Sequence, residues 1–309
     1  MSFQDLLLQQ IINGVSLGAM YALLALGFTM VYGIIELINF AHFNVFMVGS
    51  FIALWTLQAT GLVGQTTTLS GLPLIGVLLL AFAATMLLSG GLGVLIERVA
   101  LRPVRHVKGT APMITTIGIS YILFNVILLG VGADTKNFAN PVPLYEWHIG
   151  EATVRLREVL VWSVSLVLML GLHFFVRKTR MGKAMQATAQ DQEAARMMGV
   201  EVDRVVILAF FIGSALAGAA GLIFGLYYNF TSFVIGYSAG LRAFTAAVLG
   251  GIGNIAGAMV GGIVIGLIES LGGQFIAVRW TDVIIFSILI LVLVLKPSGL
   301  LGLRAPTKS

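Results

Sequence analysis

The side chains able to do chemistry are few, and they sit where long apolar runs break. Asn39, His42 and Asn44 share one short stretch, Arg242 stands alone further on, and Gly250-Gly251-Ile252-Gly253-Asn254 interrupts the same late region. A polar group inside a bilayer is costly, so such residues face a cavity, a partner or freed backbone groups. Asn39, His42 and Asn44 therefore either cap a helix turn or touch a substrate. Arg242 either attracts a carboxylate or snorkels to the outer interface. A helix end at Gly250–Asn254 would aim N–H groups or carbonyls at a zwitterion. The glycines also suit close helix packing, because Gly253, Gly257 and Gly261 repeat at four-residue spacing, as do Gly262 and Gly266. This is recognition chemistry, not bond making. HExxH, GxSxG and paired carboxylates are missing, so the chain does not read as an enzyme. Gly182-Lys183 precedes Ala184 and lacks the upstream glycine of a phosphate loop, so no ATP site of its own is expected.

What must position these residues is a membrane fold. Of 309 residues 58% are hydrophobic and 10% charged, against about 25% charged in a soluble domain. Continuous apolar runs exclude a transmembrane β-barrel. With no cysteine, disulfides and thiolate metal sites are excluded. Hydropathy places spans at 11–35, 40–59, 72–96, 111–131, 159–176 and 205–228, then a glycine-broken region at 237–272 and a last span at 283–295. Glu36, Glu97 and Glu269 fall at span ends, where a solvated charge is ordinary. Carboxylates within spans are nearly absent, which speaks for an external motor over ion coupling.

Basic residues set the orientation. Arg98, Arg102, Arg105 and Lys108 lie in one connection, six more in 177–204, and Lys296, Arg304 and Lys308 in the tail. All three segments are expected in the cytoplasm, and the mixed-charge loop 132–158 outside. That the basic residues lie in short loops argues against a nucleic-acid footprint. Crossings between two cytoplasmic segments must be even in number, so 237–272 crosses twice or re-enters. The expectation is one polytopic domain over 1–309, all-α, with about eight or nine transmembrane helices, the N-terminus outside and the C-terminus cytoplasmic. Repeats at about 11–131 and 205–296 correspond in inverted order, with discontinuous helices where they meet.

Segment 177–204 is the longest polar run. From Gly182 to Met198 it is rich in helix formers, with Gly199 as a stop, which predicts one short helix. One face carries charges and the other Met185, Ala189, Met197 and Met198, as expected of a helix lying against another protein.

Four stretches in order carry a family resemblance: ELINFAHFNVFMVGSF (36–51), ERVALRPVR (97–105), GKAM…EAARMMGV (182–200) and AAVLGGIGNIAGAMVGG (246–262). Together the chain resembles the permeases of branched-chain amino-acid ABC importers, the LivH type, over nearly its whole length. The resemblance implies a second, homologous permease, two cytoplasmic ATPases that hold ATP and Mg, a periplasmic substrate-binding protein, and a bacterial inner membrane. It implies no cofactor or metal on this chain. Glu193-Ala194-Ala195 with Gly199 fits the importer "EAA" pattern in part, its distal Ile and Pro being absent. Gly182, Glu193, Ala194, Ala195 and Gly199 are thereby the expected ATPase-coupling residues. Asn39, His42, Asn44, Arg242, Gly250, Gly251, Gly253 and Asn254 are the expected substrate path. The family's Asn-Phe-Ala-His-Gly has Phe43 in place of glycine here, which would narrow a helix contact or a path. The implied function is inward passage of hydrophobic, branched-chain amino acids by alternating access. An ion-coupled transporter, a passive channel and a relative carrying urea or short amides are the competing readings.

Overall fold

A computed structural model describes residues 3–61, 69–105, 107, 109–138, 140–296 and 298–302. Lys108, Arg304 and Lys308 lie outside the described residues. The helices are α1 (Phe3–Ile35), α2 (Ala41–Ala59), α3 (Gly71–Ile96), α4 (Ala111–Val131), α5 (Leu156–Lys178), α6 (Arg180–Gln190), α7 (Gln192–Met197), α8 (Val202–Tyr228), α9 (Ile235–Gly250), α10 (Ile255–Gly272) and α11 (Thr281–Leu295). Short strands β1 (Lys136–Asn137) and β4 (Phe230–Thr231) pair antiparallel, as do β2 (Glu146–Ile149) and β3 (Ala152–Arg155). Among the described residues, 6 helical stretches are long and apolar enough to cross a membrane, with α10 to α11 counted as one. The chain is a polytopic helical membrane protein. Helix α2 and the 16-residue α9 fall outside that group.

Hydrogen bonds sort the connections into two ends. At one end, called here the hairpin face, Gln9 of α1 exchanges two hydrogen bonds with the Thr153 backbone of β3. There too Leu69 N donates to Pro141 O, and Gln10 reaches Gln274. Helix α1 thus begins well before the expected span, because its first turns are held by the β2–β3 hairpin.

At the other end, the basic face, Arg102 and Arg105 pair with Asp203 at the start of α8. Gln192 of α7 donates to Ile34 O at the end of α1. Leu300 N and Leu301 N donate to Leu249 O and Gly250 O.

The core is built where small residues let backbones meet. Gly14, Gly18 and Ala22 of α1 face Gly262, Ile263 and Gly266 of α10. Gly218 of α8 meets Gly49 of α2 and Ser89 of α3, and Gly221 lies against Phe46 O. The pairings have a pattern: α1 packs on α10 as α8 packs on α3, and α2 on α3 and α8 as α9 on α10 and α1. Helix α4 rests on α2 as α11 rests on α9.

Three expectations are corrected here. The polar segment is two helices, because Asp191 Oδ1 accepts Glu193 N and Ala194 N and starts a new one after Gln190. Glu97 is not a solvated end charge: it is 1% exposed and ion-paired with Arg105 at 3.1 Å. Glu269 is likewise largely buried and paired with Arg242.

The α1–α10 seam makes a prediction. A Cβ on Gly266 would fall on the Gly18 amide, whereas one on Gly76 would meet nothing within 4 Å. Overpacking of this kind costs about 1–3 kcal/mol or more. Gly266→Val should lower the Tm of the purified protein in detergent, and Gly76→Val should leave it unchanged.

Candidate functional site

The break after α1 does not lead straight into a second span. Glu36 takes a left-handed turn (φ 53), and residues 36–40 run back beside α1 without helix. At the start of α2, His42 Nε2 lies 3.2 Å from Leu24 O. Leu24 is about 16 Å back from Ile35 at 1.5 Å per residue. Helix α2 therefore starts deep inside the protein. After α8 the chain does the same. Asn229 takes the left-handed turn (φ 60), residues 229–234 leave the helix, and Thr231 hydrogen-bonds Ser50 of α2. Helix α9 then begins against the start of α2, with Gly236 beside Asn44 Oδ1 and Gly240 under the Phe43 ring.

Between these two helix starts and α4 lies a cavity of about 650 Å³. Its lining is mostly apolar, with Phe43, Phe124 and Leu241, and carries Asn44, Ser120 and Ser238 as its polar groups. Tyr121, Val234 and Tyr237 are exposed at its mouth, so the cavity opens on the side of the helix bundle. The first N–H groups of α2 are taken by Asn39 and Phe40. It is therefore the start of α9 beside the apolar chamber that suits a ligand with a carboxylate and a hydrophobic side chain.

The first cluster of expected residues divides by role. Asn39 is buried and its Oδ1 accepts Ala41 N, which caps the re-entrant turn. His42, 1% exposed, anchors α2 to α1 and does not line the cavity. Asn44 does line it: its Nδ2 donates to Ser120 O and Ser120 Oγ, both at 2.7 Å, while Oδ1 has no hydrogen-bond partner among the described residues. Phe43 fits because Gly240 has no side chain, so the bulky substitution forms chamber wall.

Arg242 does not stand free. It is 15% exposed, paired with Glu269 at 3.1 Å and Asp282 at 2.7 Å, and bonded to Ser238, a cavity-lining residue. Three helices, α9, α10 and α11, meet at this one guanidinium. Two carboxylates at helix ends, Glu269 in the last turn of α10 and Asp282 in the first turn of α11, are thus gathered around Arg242. Gly250, Gly251, Gly253 and Asn254 lie elsewhere, at the basic face. Gly251 (φ 105) and Gly253 (φ 89) need glycine's freedom to turn α9 into α10. Asn254 Oδ1 caps α10 at Gly257 N, and its Nδ2 holds Leu301 O. That helix end is already satisfied and does not reach the cavity.

On the basic face, Gly182 is packed against the Phe175 and Val176 carbonyls and Thr179 caps it at 2.9 Å. Met185 and Ala195 are buried, holding α6 and α7 to the body. Glu193 is exposed, and Met197 and Met198 are 82% and 84% exposed. Gly199 has φ 84 with open space around it. The exposed apolar patch is thus the two methionines at the end of α7. Sequence reasoning missed Ser120, Ser238, Asp282 and Gln192. The signal for the first was present, since Thr116 and Ser120 put hydroxyls one turn apart on an otherwise apolar run.

Residues 10–293 match the family described as "Branched-chain amino acid transport system / permease component". The high-affinity branched-chain amino acid transport system permease protein LivH of Escherichia coli strain K12 is 42% identical over 303 residues, covering 96% of this chain and 95% of that protein. The corresponding permease protein BraD of Pseudomonas aeruginosa is 39% identical, again over 96% of this chain and 95% of that protein. A probable branched-chain amino acid transport permease protein LivH of Methanocaldococcus jannaschii is 28% identical over 91% of this chain and 88% of its own length. No solved structure matches the chain.

The Arg242 cluster is testable. Arg242→Met strands the Glu269 carboxylate in a largely buried place, a loss of about 3–5 kcal/mol when one partner of a buried pair is removed. The double variant Arg242→Met/Glu269→Gln should recover most of it, as read by thermal unfolding of the purified protein.

Proposed function

The chain belongs to the family of permease components of branched-chain amino acid transport systems, and from that premise we propose how it works. It is a transport subunit and not an enzyme. It carries a hydrophobic, branched-chain amino acid inward by alternating access, and the work comes from ATPase subunits that press on the basic face. The observation that carries this reading is the apolar 650 Å³ chamber between the deep starts of α2 and α9. The start of α9 favours the substrate carboxylate, and Phe43 and Phe124 take its side chain. Urea would leave so large an apolar chamber mostly unfilled.

The topology proposed is nine passes in the inner membrane: α1 to α5 and α8 to α11. The basic face is cytoplasmic, which puts the N-terminus outside. A second, homologous permease covers the cavity mouth along α4 and α9, since hydroxyls at Ser120, Tyr121 and Tyr237 are poorly suited to lipid. Two ATPases, holding ATP and Mg, and a binding protein outside complete the assembly.

The inverted repeat rests on three coincidences. Neighbours are preserved when α1, α2, α3 and α4 are exchanged for α8, α9, α10 and α11. Glu36 and Asn229, the two non-glycine residues with positive φ among those described, each end the first helix of a half. A π-helical turn follows the third helix of each half, at Glu97–Leu101 and Gly273–Ala277.

Force enters at α7. Met197 and Met198 seat in the ATPase, Gln192 donates to the Ile34 carbonyl at the end of α1, and Glu36 and the re-entrant segment follow at once. Moving α7 therefore shifts the start of α2, which is the chamber wall. ATP acts by binding energy that differs between the two arrangements.

An ion-coupled reading is favoured by one observation, the carboxylates gathered at Arg242. The two readings part in proteoliposomes. The permease pair without ATPases should show no gradient-driven uptake. In the full assembly Gln192→Ala should keep ATP hydrolysis while uptake per ATP falls roughly two- to thirty-fold, as for a loss of 0.5–2 kcal/mol of coupling. Gly199→Val, strained at its φ, should do the same. Uptake by the pair alone in a proton or sodium gradient would discard the ATP-driven account.

A further inference from the structure

A second cavity, of about 560 Å³, opens at the hairpin face between the first half of α1, β3, the start of α5, the end of α8 and residues 270–278. It shares none of the lining of the central chamber. Its character is different too. Gln9, Asn13 and Gln274 supply amides, and the charged lining is Arg155, Arg157 and Glu158, of which Arg155 is already paired with Glu146 at 2.9 Å. Arg157 lies over the Tyr227 ring, 5.4 Å from its centre, and its Nε is buried without a hydrogen-bond partner among the described residues. Glu158 is buried, with one oxygen accepting Arg155 N at 2.8 Å. Leu17 and Val278 add apolar wall.

A half-buried guanidinium and a buried carboxylate lining one amide-bearing hollow are the complement of a zwitterion: Arg157 for its carboxylate, Glu158 for its ammonium. We infer that this vestibule is a second, shallower binding site for the free amino acid, occupied after release outside and before the central chamber. The inference rests on the outward orientation of the hairpin face proposed above. A zwitterion leaving water would lose hydration on both charges at once, and a site that meets both halves that cost before the apolar chamber is reached.

The chain has no cysteine, so a single introduced thiol reports cleanly. In the full importer in sealed vesicles without binding protein, Gln274→Cys is exposed to an impermeant maleimide, and modification of this subunit is followed by mass. Reagent added outside should react. L-leucine at about ten times its Kd should slow the reaction about tenfold, as the free fraction of the site falls. Leucinol and 4-methylpentanoate, each lacking one charge, should not slow it, and Arg157→Gln should abolish the effect of leucine. Outside labelling that leucine leaves unchanged, or that the singly charged analogues slow equally, overturns the vestibule and leaves the central chamber standing. Labelling from the inside only overturns the vestibule together with the proposed orientation. Tyr237→Cys at the chamber mouth, probed in parallel, reads the central site independently.

Discussion

Everything in this structure depends on how two non-helical segments are kept at membrane depth. Backbone N–H and C=O groups cannot be left open in hydrocarbon, so irregular chain survives there only when enclosed and satisfied. Residues 36–40 meet that demand through Asn39 on Ala41 N and through Thr116, which accepts Phe40 N and bonds Ile38 O. Residues 229–234 do so through the β1–β4 pair, the Ser50–Thr231 bond and Asn140 on Asn229. Because the satisfying groups come from α2, α4 and the hairpin-face loop, neither segment exists without the others. The chamber is the space these two deep turns leave between them.

The same economy of small side chains explains why the deep turns can meet. Glycine at 18, 49, 218, 240 and 266 removes the bulk that would hold helices about 8–10 Å apart. Phe43 and the Gly240 hollow are one fitted unit. Charges are managed likewise. Arg105 with Glu97 and Asp203 pins the basic face, and Arg242 with Glu269 and Asp282 pins α9 to α11. Each guanidinium joins parts of the chain that sequence keeps far apart. The short route from Gln192 to Ile34, Glu36 and Asn44 connects an exposed methionine pair to the chamber wall through fewer than a dozen residues of α1 end and re-entrant chain.

Much of this was legible beforehand. Composition and run length settle the membrane class, because apolar side chains and helical backbone are the local answer to hydrocarbon. The two polar breaks, the glycine spacing and the methionines of 177–204 all marked places where that local answer fails. Tertiary structure decided which polar group meets which. Asn44 and Ser120, or Arg242 and Glu269, are partners only because distant helices cross, and spacing along a chain carries no record of a crossing. It also split the polar segment at Asp191, where a side-chain cap outweighs helix propensity, and it gathered two helix starts from opposite halves of the chain around one cavity. Sequence determines what must leave water, since that is a property of each residue; only the fold decides what each buried polar group finds there, since that is a property of pairs.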